Sequence, residues 1–249
     1  VSAVASQAQR STRVGRILVL DGDPMNGTVN ASLWRGSGPS LTDGSPATRA
    51  LALARARSGA AEGVLRDPAT ASLAQAAYTL VVYPDDATVA TLAAHDIDTI
   101  LVPLGASGSQ ALTSGLDRAS GLEKVGDTNS GTVWRVRPGG VTPSRARVES
   151  ASGVTTPVGG SQLSVSGDVD ASGTLILAER ADSGWRASVD GTALVATEAA
   201  DGWSQAFEMP TAGHLTLTYS AWWIIPWRIA SGVCLVVAAA GALSAWRKR

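Results

Sequence analysis

The sequence has very little cysteine, histidine and lysine, and these shortages exclude several classes of protein. A single cysteine, Cys234, excludes a disulfide framework and a cysteine-rich zinc site. The two histidines, His95 and His214, lie far apart in the chain and lack the spacing of a metal-binding motif. Lys and Arg together number 20 against 21 Asp and Glu, and a net charge of −1 gives no support to nucleic acid as a partner.

Charged residues are also scarce, at 16% of the chain, whereas 45% of the residues are hydrophobic. This composition predicts a folded core and excludes a disordered tail. The length of 249 residues allows one large domain or two small ones. The chain begins with Val1 and has no signal peptide, which predicts a fragment or a processed product.

The last 30 residues differ in composition from the rest of the chain. All 21 acidic residues precede residue 220, whereas Arg and Lys bracket an uncharged segment at 229–246. As a helix, this segment would extend about 27 Å, close to the hydrocarbon thickness of a bilayer. We therefore predict a transmembrane helix over 222–246 that contacts the lipid bilayer. Its predicted membrane-interface residues are Trp222, Trp223, Trp227, Arg228, Trp246, Arg247, Lys248 and Arg249.

The basic end of this segment also predicts its orientation in a cell membrane. The positive-inside rule assigns residues 247–249 to a cytoplasmic tail and residues 1–220 to the extracytoplasmic side. A buried core helix would also be apolar, but core helices rarely combine an aromatic belt with a terminal Arg-Lys-Arg. Ala238 and Ala242 are spaced four apart and would allow packing against another membrane helix.

Residues 14–138 alternate between strand-like and helix-like runs, after a predicted flexible segment at 1–13. Asp85 and Asp86 suit the start of a helix. The alternation predicts an α/β domain with a partly parallel sheet. Its expected strands lie at 17–20, 79–83, 99–102 and 132–136, and its expected helices at 47–58, 69–77, around 89–93 and at 109–118.

The hydrophobic pattern of the sequence changes after a Gly- and Pro-rich linker at 139–144. Residues 145–220 contain short alternating runs typical of strands, and Asp190-Gly191 between two of them predicts a type I′ hairpin. The fold expected for the whole chain is an α/β N-terminal domain, a small antiparallel β-sandwich and one C-terminal transmembrane helix.

Asp21 and Asp23 follow an apolar strand and are the candidate metal ligands in the sequence. A phosphatase of the haloacid dehalogenase type places such a pair after its first strand, and residues 85–86 imitate its second acidic pair. That family needs a Lys between the pairs, whereas Lys124 and Lys248 both come later. The Asp-x-Asp pattern also resembles the nucleotide-sugar site of many glycosyltransferases. That site would need a nucleotide-binding segment before it, and too little chain precedes Asp21. A turn-and-cap role is therefore favoured, with no catalytic residue, metal or cofactor expected in this segment.

Several blocks of the sequence, taken in order, form a distinctive series; they are 16–20, 33–38, 41–43, 95–103, 116–117, 121–126, 131–136, 184–191 and 210–219. The series resembles the C-terminal extracytoplasmic part of large actinobacterial membrane proteins of glycosyltransferase family 2. The last two blocks are also similar to the terminal sandwich of YfhO-type membrane proteins, which are linked to glycosylation of surface polymers.

The resemblance implies a role in cell-envelope polysaccharide assembly. In that family the transferase domain and many membrane spans lie N-terminal to this region, so it implies a non-catalytic segment that holds acceptor glycan or a partner. A membrane-anchored cell-surface binding or scaffold protein without enzymatic activity is the alternative. A metal-dependent phosphatase is the less favoured third interpretation.

Overall fold

The computed structural model describes residues 15–34, 68–160 and 164–220, together with residues 231, 232 and 234. In this part of the chain, 14 strands form three sheets that are largely antiparallel, and three α-helices accompany them. None of the helices formed by the described residues is long and apolar enough to cross a membrane.

Several predictions fall on the remainder of the chain. The segment 1–13 and the helix expected at 47–58 lie outside the described residues, as does nearly all of the membrane helix expected at 222–246. The same holds for all of the predicted interface residues, namely Trp222, Trp223, Trp227, Arg228, Trp246, Arg247, Lys248 and Arg249.

The first sheet has five strands in the order β2-β1-β3-β5-β4. β1 and β3 are parallel and the other neighbouring pairs are antiparallel, so the expected partly parallel sheet is confirmed. The strand β4 was not expected, because its side chains are largely exposed and lack a buried alternating face. The strands are β1 (Arg16–Asp21), β2 (Asn30–Trp34), β3 (Ile97–Pro103), β4 (Leu122–Thr128) and β5 (Gly131–Val136).

Three helices pack with this sheet: α1 (Pro68–Val82), α2 (Asp86–Ala94) and α3 (Ser109–Leu116). The strand expected at 79–83 is wrong, because residues 79–82 form the last turn of α1. β-branched residues favour strands locally, but here they continue a helical stripe that the core buries. That stripe consists of Leu73, Ala76, Ala77, Leu80 and Val81.

The remaining nine strands form two sheets that share one apolar core, and we call this region the sandwich. Their orders are β11-β10-β14-β8 and β12-β13-β9-β6-β7, and all paired neighbours are antiparallel. The strands are β6 (Ala146–Glu149), β7 (Thr155–Val158), β8 (Ser164–Val169), β9 (Gly173–Arg180), β10 (Trp185–Val189), β11 (Thr192–Ala193), β12 (Val195–Glu198), β13 (Ser204–Met209) and β14 (Gly213–Tyr219).

Local signals in this region have mixed outcomes. Asp190 and Gly191 join β10 to β11 with φ angles of 47° and 80°, which confirms the expected turn with two left-handed residues. The strand β7 was not expected, because it contains Pro157, which only an edge position tolerates. The expected linker begins with a 3₁₀ turn at Pro138–Gly140.

Candidate functional site

The loop after β1 holds both candidate metal ligands, and its hydrogen bonds are those of a turn. Asp21 Oδ1 accepts a hydrogen bond of 2.7 Å from the N–H of Gly22. Asp23 accepts from the N–H of Met25 at 3.0 Å and from Nδ2 of Asn26 at 2.6 Å, and so caps a short 3₁₀ turn. These contacts favour the turn-and-cap role for both carboxylates.

The second acidic pair also has a local role. Asp85 is the N-cap of α2, and its side chain accepts from the N–H of Thr88 at 2.6 Å. This contact confirms the expected cap. The hydrogen bonds from Thr88 lower the pKa of Asp85, because they favour its charged carboxylate. Among the described residues, no group of three or more His, Cys, Asp or Glu is arranged to hold a metal ion.

A buried ion cluster joins β1 to the sandwich. Arg16 donates to the carbonyl oxygens of His95 at 3.0 Å and Ala178 at 2.8 Å, and to Oε1 of Glu179 at 2.7 Å. Arg145 Nη2 lies 2.9 Å from the same carboxylate oxygen. Two guanidinium groups therefore share one buried carboxylate, which fixes the first sheet against the sandwich.

His95 lies in the same contact region and is neutral. Its imidazole stacks on Trp203 of the sandwich, and its Nε2 lies 3.2 Å from Oγ of Ser72. Burial, followed by the positive charge of Arg16, lowers the pKa of His95 to about 3. A histidine with this pKa remains unprotonated near neutral pH, so its role here is packing between the layers.

The outward side of the sheet β11-β10-β14-β8 is polar. Alternation along each strand buries residues such as Ala187, Leu215 and Val165, so the intervening side chains point away from the core. The register aligns these outward residues in three rows across β10, β14 and β8. We call this set the polar face: Arg186, Thr218 and Ser164 form the first row, Ser188, Thr216 and Ser166 the second, and His214 and Asp168 the third.

Three residues of the polar face are joined by hydrogen bonds. Ser166 Oγ lies 2.9 Å from Nε2 of His214, and Nδ1 of His214 lies 2.7 Å from Oδ1 of Asp168. The side chains are accessible, with exposed fractions of 54% for His214 and 83% for Asp168. The sequence alone does not indicate this contact, because Asp168 lies 46 residues before His214 and nothing local shows that their strands pair.

A groove of about 520 Å³ adjoins one end of the polar face. Asp190 lines this groove, and its Oδ1 also accepts from the backbone N–H of His214 at 3.0 Å. The backbone N–H of Asp190 donates in turn to the carbonyl oxygen of His214 at 3.0 Å. The main chain of His214 is therefore held at the rim of a concave surface.

Comparison with known proteins adds no assignment, since no family model, no curated protein and no solved structure matches this chain.

Proposed function

We propose that this chain is the extracytoplasmic C-terminal region of a membrane-bound glycosyltransferase that acts in cell-envelope polysaccharide assembly. In this role it holds acceptor glycan and takes no part in the glycosyl transfer itself. The observation that carries the proposal is the polar face, which presents five hydroxyl groups, two ionic groups and an imidazole on one surface.

The spacing of the polar face suits a chain of sugar rings. Neighbouring strands lie about 4.8 Å apart, and outward residues on one strand are about 7 Å apart. Sugar hydroxyls both donate and accept hydrogen bonds, as do the hydroxyls of Ser and Thr. Several such bonds formed together would hold a glycan without any catalytic group.

The position of the last strand supports a location near the membrane. β14 lies between β10 and β8 and ends at Tyr219, three residues before the predicted membrane helix at 222–246. A chain that leaves the sheet at this point and enters a bilayer would keep the sandwich close to the lipid surface. Acceptor glycans carried on membrane lipids would then be within reach.

Glycan binding by the full chain in detergent tests the proposal. The probe is envelope polysaccharide isolated from the source organism, and the test variant is Thr216→Val with Thr218→Val, which removes two hydroxyls from the polar face. With about 1 kcal/mol for each hydrogen bond, we expect binding to weaken by at least tenfold. The matched control is Thr155→Val with Thr156→Val, which removes two exposed hydroxyls from β7 in the other sheet.

Two outcomes would contradict the proposal. One is the absence of binding by the unaltered chain, and the other is equal binding by both double variants.

The complete reading frame upstream of Val1 distinguishes the proposal from the alternative, a membrane-anchored binding or scaffold protein. A frame that includes a transferase domain supports an accessory region. A start codon directly before Val1 supports the anchored binding or scaffold protein.

A further inference from the structure

We propose that Ser166, His214 and Asp168 form a nucleophilic relay that cleaves acyl esters. Ser166 is the nucleophile, His214 the general base and Asp168 the positioning residue for the imidazole. The substrate class is the O-acyl ester, and the choice of a glycan as the carrier of that ester rests on the proposed function. The acyl chemistry itself depends only on the three side chains.

The order of contacts matches the requirements of a serine nucleophile. A serine hydroxyl is a weak nucleophile unless an adjacent base accepts its proton, and that base must be held by a third group. Here Nε2 of His214 is 2.9 Å from Ser166 Oγ and the opposite ring nitrogen is 2.7 Å from Asp168. Both distances are within hydrogen-bond range.

The hydrogen bond to Asp168 selects the tautomer of His214. A carboxylate only accepts hydrogen bonds, so Nδ1 of His214 carries the ring hydrogen and donates a hydrogen bond to Asp168. In the neutral ring this leaves Nε2 with a lone pair directed at the hydroxyl of Ser166. The imidazole is thus oriented to remove a proton from Ser166 rather than to donate one.

The sheet holds the three residues in this arrangement. Ser166 and Asp168 are two residues apart on β8 and share its outward side, while His214 lies opposite Asp168 on β14. Asp190 fixes the backbone of His214 through two hydrogen bonds. Thr216 lies opposite Ser166 on the same face, where its hydroxyl is a candidate donor to the carbonyl oxygen of a bound ester.

A concave surface next to Asp190, which contacts the main chain of His214, provides room for the acyl chain. The groove of about 520 Å³ is lined by apolar residues, including Val189, Leu194 and Met209, in addition to Asp190 and Glu208. A short apolar acyl group fits this lining, while the alcohol portion of the ester would extend along the hydroxyls of the polar face.

The reaction balances with water as the only co-reactant. As Ser166 Oγ bonds to the carbonyl carbon, His214 Nε2 takes its proton and the carbonyl electron pair moves onto oxygen. The tetrahedral intermediate collapses, the ester C–O bond breaks, and His214 returns the proton to the departing alkoxide, which leaves as an alcohol. Water, deprotonated by His214, then attacks the acyl group on Ser166. A carboxylic acid leaves, and Ser166 Oγ regains its proton.

The test uses the full 249-residue chain in detergent with p-nitrophenyl acetate as the probe. We expect one acetyl group on Ser166, located by peptide mass spectrometry, together with the release of p-nitrophenol. General-base assistance contributes about 10²–10⁴-fold, and solvent exposure of the relay favours the lower end. The nucleophile and its general base act as a unit, so Ser166→Ala forfeits this assistance and should reduce release about a hundredfold.

Two further variants separate a relay from a surface hydrogen-bond network. Asp168→Asn should reduce the rate and alter its pH profile, because the amide no longer enforces the Nδ1–H tautomer. Thr155→Ala is the matched control, since it removes an exposed hydroxyl from β7 in the other sheet, away from the polar face. It should acetylate Ser166 at the unaltered rate. Circular dichroism should give the same spectrum for all variants, because these side chains lie on the surface.

The inference fails if no acetyl group is found on Ser166, or if Ser166→Ala and Thr155→Ala release p-nitrophenol equally. The three residues would then be cross-strand contacts that stabilise an exposed sheet. Glycan binding without acetylation would overturn the relay and leave the proposed function standing. Acetylation of Ser166 without glycan binding would overturn the glycan-holding role and support the relay with another ester.

Discussion

His95 and Trp203 stack face to face between the first sheet layer and the sandwich, with ring centroids 4.2 Å apart and planes inclined by only 5°. His95 follows α2, whereas Trp203 precedes β13, so the stack joins segments more than 100 residues apart in the chain. Together with the Arg16–Glu179 contact, it joins the first sheet layer to the sandwich.

Replacing Trp203 with alanine should destabilise the whole chain. The indole is 7% exposed and packs with Ala69 and Ala178, so its loss removes contacts on both sides of the boundary. Truncation of a buried Trp costs about 3–5 kcal/mol in the free energy of unfolding. Urea unfolding followed by circular dichroism measures the change.

The matched control for this change is Tyr83→Ala, which removes an aromatic side chain that is 77% exposed. Its effect should stay within about 0.5 kcal/mol. Equal losses for both variants would show that the stack contributes nothing specific to stability.

The neutral state of His95 should make stability depend on pH. Its pKa is about 3 in the folded chain against an ordinary value of 6.5, lowered by burial, then by Arg16, with smaller effects from Arg147 and Arg180 opposed by Asp201. Between these values the unfolded chain binds a proton that the folded chain does not. The free energy of unfolding should therefore fall as pH decreases from about 6.5 to about 3, by at most about 1.4 kcal/mol per pH unit.

Urea unfolding at a series of pH values checks this dependence. His95→Phe keeps an aromatic ring against Trp203 but cannot take a proton, so it should flatten the curve over this range. His214→Ala removes the other histidine, which is exposed, and should leave the steep dependence in place. A curve unchanged by His95→Phe would assign the pH dependence to other groups.

Removing the charge of Glu179 should be costly because two guanidinium groups converge on it. Glu179→Gln removes the buried negative charge that Arg16 and Arg145 both contact. Breaking one side of a buried ion pair costs about 3–5 kcal/mol. The decrease should be visible as a lower midpoint in urea unfolding.

Glu149→Gln provides the comparison, because the pair between Glu149 and Arg147 is partly exposed. Its removal should cost less than about 1 kcal/mol. Similar midpoints for Glu179→Gln and Glu149→Gln would contradict a structural role for the buried cluster.

The predicted membrane orientation is testable by cysteine labelling in whole cells. Since Cys234 is the only cysteine, Cys234→Ser gives a cysteine-free background. Thr192→Cys, on an exposed strand, should react with a membrane-impermeant maleimide in intact cells, whereas Lys248→Cys should react only after lysis. The reverse pattern, or recovery of the chain outside the membrane fraction, would contradict the orientation.

Local physical rules account for much of the secondary structure. The two left-handed residues at Asp190 and Gly191 and the capping carboxylate of Asp85 depend on their immediate neighbours, so the sequence predicts them directly. The alternation of the sandwich strands is equally local. Residues 79–82 are different. This run favours a strand in isolation, but it forms a helix because its apolar stripe is buried against the sheet.

The candidate sites were decided by tertiary structure. The sequence determined that the chain is rich in short strands, is poor in cysteine and histidine, and contains an apolar segment with basic ends. It did not place Ser166 beside His214, which is 48 residues away, or Arg16 beside Glu179, which is 163 residues away. Such contacts depend on which strands become neighbours, and that is fixed by burial of the shared core rather than by any local preference.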